Sequence, residues 1–86
     1  MALYYSAHTI ACLTKQALRE LMNNLMSSTE VKVCRCVASQ LGGRMLTEIE
    51  APDQTVLQMW FEKHYVNVEW TMRIDLDARD GEVKEW

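Results

Sequence analysis

The stretch Val66-Asn67-Val68-Glu69-Trp70-Thr71-Met72-Arg73-Ile74-Asp75-Leu76 decides the fold. Val66, Val68, Trp70, Met72, Ile74 and Leu76 are apolar, and every residue between them is polar. Period-two alternation marks a strand with one buried face and one wet face. If straight, the segment would run about 36 Å, against a usual strand of about five or six residues. In a small domain such a strand must bend or pair outside its own subunit. Its apolar set is expected to face the core.

The neighbours complete the pattern. After it, Arg79-Asp80-Gly81-Glu82 reads as a turn built on Asp-Gly, with Val83 to Trp86 folding back as a short strand. Before it, Pro52-Asp53 starts a helix whose stripe is Val56, Leu57, Trp60, Phe61 and His64; Asp53 is the N-cap. Arg44 to Ala51 is a strand, with Met45, Thr47, Ile49 and Ala51 on one side and Arg44, Leu46, Glu48 and Glu50 on the other. Gln40 to Gly43 is the hairpin turn before it. Val31, Val33 and Val37 make another strand, and Arg35 interrupts their face, which implies partial burial or a bulge. Thr14 caps a helix over Lys15 to Met26, with Ala17, Leu18, Leu21, Met22, Leu25 and Met26 at helical spacing. Leu3 to Ala11 is the first strand. Its odd positions are slightly more apolar, so Tyr4, Ser6 and His8 are expected on the outer face.

This order is the α+β, ferredoxin-like βαββαβ plan over a single domain, residues 1–86. Right-handed crossovers place both helices on one face of a four-stranded antiparallel sheet. The other face would carry Tyr4, Ser6, His8, Ile10, Cys34, Cys36, Arg44, Leu46, Glu48, Glu50, Asn67, Glu69, Thr71 and Arg73. It is too polar for a core. Either it is the wet side of an open sheet, or two copies stack these faces and enclose a polar cavity. The second is expected, because a small domain gains core by dimerising.

Composition narrows the classes. Hydrophobic residues make up 49% of the 86, which excludes a disordered chain. Nine Lys and Arg oppose twelve Asp and Glu, net −3, and no basic run stands out, so nucleic acid is not an expected partner. No apolar run approaches the roughly 20 residues of a membrane helix. Met1 to Cys12 lacks a basic region and does not read as a signal peptide. Cys12, Cys34 and Cys36 are an odd count, which fits reduced thiols in the cytoplasm.

The segment Gly43-Arg44-Met45-Leu46-Thr47-Glu48-Ile49-Glu50-Ala51-Pro52-Asp53, with Leu57, Trp60 and Phe61 after it, resembles the small dimeric α/β-barrel proteins. It is most similar to short bacterial families of unassigned function, some with nickel-binding relatives. The resemblance implies a ferredoxin-like fold and a homodimer. That superfamily includes cofactor-free monooxygenases, muconolactone isomerases and ligand-sensing domains, so the fold leaves function open.

Several side chains are chemical candidates. His8 titrates near neutrality and is the expected base, with Tyr4 as a hydrogen-bond donor to a carbonyl or phenolate. Ser6, Arg44, Glu48, Glu69 and Arg73 would line a ligand site beside them. Cys34, Cys36 and His8 are the ligands under a metal alternative, although a four-ligand spacing is absent. Otherwise no cofactor is expected. His64 reads as a packed histidine at a helix end. Met22, Met26, Met45, Met59 and Met72 occupy core-like positions. The leading expectation is a homodimeric module that binds or senses a small ligand. The alternatives are a cofactor-free isomerase or monooxygenase, a nickel-type metal binder, and a purely structural oligomerisation unit.

Overall fold

Helix starts are set by side chains that satisfy free amides of the first turn. In a computed structural model describing all residues 1–86, Thr14 accepts from the Ala17 amide at 3.1 Å. Asp53 accepts from the Val56 amide at 2.8 Å. Helix α1 then spans Lys15–Met26 and α2 spans Gln54–Lys63. Both caps are those read from the sequence. Neither helix is long and apolar enough to cross a membrane.

Strands β1 (Ala2–Thr9), β2 (Lys32–Ser39), β3 (Arg44–Ala51) and β4 (Trp70–Arg73) form one antiparallel sheet in the order β2-β3-β1-β4. Strands β5 (Leu76–Arg79) and β6 (Glu82–Glu85) form a separate hairpin. Its turn is Asp80-Gly81, both at positive φ (51° and 78°), as a tight right-twisting hairpin requires. Gly43 also sits at positive φ, 68°, and closes the β2–β3 turn.

The long alternating segment bends. Only Trp70–Arg73 pairs with β1 as a strand; the chain leaves the sheet at Ile74-Asp75 and re-forms as β5. The bend is one of the two outcomes expected of so long a strand. Its facing is corrected. Trp70 pairs with Ala7 and Met72 with Tyr5, on the side away from the helices, and both are largely exposed. Val66 and Val68, in the loop before β4, do pack against the core.

Strand β1 is also inverted relative to expectation. Tyr4, Ser6 and His8 pair with Ile49, Thr47 and Met45, and these inward positions lie under the helices. The physical reason is mutual satisfaction. The polar atoms of Ser6, Thr47, His8 and Thr71 find partners across the sheet, so burial leaves none unpaired. Leu18 and Leu25 of α1, and Leu57, Trp60 and Phe61 of α2, close over Tyr4, Met45 and Ile49 as one core. Of the methionines, Met45 is fully buried, but Met26, Met59 and Met72 are exposed, which corrects that expectation for the latter three.

Arg35 interrupts the valine face because a register shift falls between Val33 and Arg35. The shift puts Val33 opposite Ile49 and Cys36 opposite Thr47, both inward. Cys34, at the shift, turns toward Glu50 on the open face. Cys34 and Cys36 are thus on opposite faces, not on one.

Candidate functional site

The end of α2 is shaped by a non-glycine left-handed residue. Tyr65 has φ 56°, its amide donates to Glu62 O at 3.1 Å, and Val66 N donates to Phe61 O at 3.0 Å. This paired closure is the Schellman arrangement, usually built on glycine. It turns the chain sharply so that Asn67 meets the end of β1. The Asn67 carboxamide accepts from the Thr9 amide at 2.9 Å and donates to the Thr9 carbonyl at 3.1 Å. One side chain thereby replaces a rung of the ladder before β4 begins.

The Asn67 backbone carbonyl lies 2.8 Å from His8 Nδ1. A carbonyl only accepts, so Nδ1 carries the proton. His8 Nε2, 2.9 Å from Thr47 Oγ1, then accepts from the threonine hydroxyl. The ring packs against Phe61 with centroids 4.9 Å apart and is 1% exposed. Burial pushes the His8 pKa down, more than the Asn67 carbonyl and the Glu69 charge raise it. The imidazole is neutral, in a fixed tautomer, with both nitrogens engaged.

His8 forms part of the wall of a cavity of about 380 Å³ at this end of the sheet. Ile10 and Leu13 from the β1–α1 connection, Ala17 and Leu21 from α1, Met45 from β3 and Val66 supply most of the apolar lining. Asn67 and Thr9 add polar groups at its edge, Cys12 adds an exposed thiol, and Tyr65 stands beside it almost wholly in solvent. The volume and apolar character are those of a small-molecule site.

Other candidates go elsewhere. Tyr4 lies in the core and opposite Arg73, four residues from His8 along β1, or about 13 Å. The structure does not bring that pair together. Ser6 bonds Thr71 at 2.9 Å. Cys36, Thr47, Ser6 and Thr71 make one row across all four strands beneath the helices. Arg44 and Glu69 form an ion pair at 3.0 Å, with Thr9 donating to Glu69 at 2.6 Å. Arg73 is exposed on β4. His64 is the C-cap of α2 and packs on Trp60 with centroids 4.7 Å apart; its Nε2 is buried with no partner.

On the open face, Glu48 is only 8% exposed. The Tyr5 phenol donates to it, and Arg79 from the hairpin stands 3.4 and 3.5 Å from its two oxygens. Asp77 pairs with the same arginine at 3.3 Å. The hydrogen bond to Glu48, with burial second, raises the Tyr5 pKa. Neither Tyr5 nor Arg79 stands out in the sequence. The only signal there is that Tyr5 shares the odd phase of β1, the phase expected to be buried.

The metal alternative gains no geometry. No group of three His, Cys, Asp or Glu side chains is placed to hold an ion. Burial raises the Cys36 pKa to about 11, and burial followed by the Glu50 hydrogen bond raises that of Cys34.

No protein-family model, curated protein or solved structure matches this chain.

Proposed function

We propose that this chain is a homodimeric small-ligand-binding protein of the ferredoxin-like, dimeric α/β-barrel kind. The observation that carries the reading is the 380 Å³ cavity with its apolar walls and a neutral, oriented histidine. Its ligand is an uncharged, mainly apolar molecule of one or two rings. A polar group on it would meet Asn67, or His8 Nε2 once the Thr47 hydroxyl turns away. Any use of His8 as a base in the isomerase or monooxygenase reading requires that same exchange of partners, which makes binding the simpler role.

The second half of the proposal is self-association through the open sheet face. Val37, Leu46, Trp70 and Met72 expose 39, 38, 42 and 52% of their surface there. A four-stranded face is about 19 Å wide and about 25 Å long. That is roughly 500 Å², a little over half of the roughly 800 Å² per partner of a standard interface, and the hairpin adds to it.

The cavity is tested by filling it. Titration with 2-naphthol, followed by ligand-observed NMR, should give saturable binding to the wild type. Ala17→Trp should weaken it by at least about tenfold, a loss of about 1.4 kcal/mol. Equal binding by both chains, or none by the wild type, would remove this cavity as the ligand site.

A further inference from the structure

The hinge between β4 and β5 is the feature that the fold itself does not explain. The alternation Trp70, Met72, Ile74, Leu76 runs straight through it. No glycine or proline marks the bend, whereas the two hairpin turns use Gly43 and Gly81. Ile74 still extends the ladder, its amide donating to Leu3 O at 2.9 Å, and strand geometry lapses only over Ile74-Asp75. Beyond it, the hairpin shares no ladder with the four-stranded sheet. Its side-chain ion pair to that sheet runs from Arg79 to Glu48. Leu76, the last apolar residue of that alternation, is 64% exposed in the hairpin, and Val83 on β6 is 70% exposed.

We propose that in the homodimer β4 and β5 straighten into one strand and carry the β5–β6 hairpin onto the second copy. Arg79 of each protomer then pairs with the partner's Glu48. Trp70, Met72, Ile74 and Leu76 would form one continuous apolar face against the neighbouring sheet. A two-residue hinge without turn residues favours such an exchange, because the pairings that hold the hairpin within one chain re-form between two. The charges are self-complementary: Glu48 is buried on the sheet side, and the hairpin brings the cation. The inference rests on the homodimer proposed above and specifies how its two halves join.

Arg79→Lys keeps the cation and permits zero-length carbodiimide coupling to Glu48. Exchange predicts that the linked peptide, residue 48 joined to residue 79, appears in a covalent dimer on a denaturing gel. A 1:1 mixture of ¹⁴N and ¹⁵N chains should then give the mixed-isotope linked peptide. If light scattering reports a dimer but the link occurs only in the monomer band, exchange is wrong and the sheet-face dimer stands. If light scattering reports a monomer, both are wrong. Inserting two glycines after Asp75 provides a check that does not depend on the coupling. Relaxing the hinge should weaken the dimer at least about tenfold under exchange, and an unchanged dimer constant overturns it.

Discussion

Phe61→Ala should destabilise the protein by about 3–5 kcal/mol, the range for truncating a fully buried aromatic. Phe61 is 1% exposed on the inner face of α2, with ring centroids 5.4 Å from Trp60 and 4.9 Å from His8. Removing the ring takes away apolar burial, leaves a void and exposes one side of a neutral imidazole. Domains of this kind hold only about 5–15 kcal/mol in total. With a urea slope of about 1 kcal/mol per molar, the unfolding midpoint should fall by about 3 M or more. Met59→Ala, on the outer face of the same helix and 63% exposed, should stay within about 0.5 kcal/mol. Equal midpoints for the two variants would contradict the packing described for α2.

His8→Ala should cost about 3 kcal/mol and carry a pH signature that a merely space-filling residue lacks. The substitution leaves the Thr47 hydroxyl and the Asn67 carbonyl without their partner, and unsatisfied buried groups cost about 1–3 kcal/mol each. It also leaves a cavity beside Phe61. The pH dependence follows from burial, which lowers the His8 pKa in the folded state. The unfolded chain binds the proton more readily, so acid favours unfolding. The contribution is intact above about pH 6.5 and shrinks as the pH falls from there toward the folded-state value. One proton limits the slope to about 1.4 kcal/mol per pH unit. Urea unfolding between about pH 5.5 and 7.5 should show this slope in the wild type and lose it in His8→Ala. A slope of opposite sign would mean that His8 is charged in the folded protein.

The two variants also bear on how far the sequence could be read. Elements governed by local chemistry were legible: Thr14 and Asp53 announce their helices, Asp80-Gly81 its hairpin, and Arg35 the irregularity in β2. Facing was not legible, because period two separates two faces without saying which one the helices cover. For β4 the apolar set lies outward. For β1 the set holding Ser6 and His8 lies inward, because its polar atoms are satisfied by Thr71, Thr47 and Asn67. Those partners sit 39 to 65 residues away in the chain, beyond the reach of any local pattern. Tyr4 and His8 share a face but stand four residues apart along β1, and Cys34 and Cys36 are separated by the register shift between Val33 and Arg35. Glu48 was visible as a polar residue on the open face, whereas its partners Tyr5 and Arg79 depend on the register of β1 and the fold of the hairpin.

The outward apolar face of β4 is therefore the feature on which the functional account turns. Sedimentation equilibrium of the wild-type chain tests it most directly. The account predicts a particle of twice the 10.0 kDa chain mass at micromolar concentration. A single chain mass persisting to millimolar concentration would contradict it, and would leave Trp70 and Met72 as surface residues with no partner to cover them.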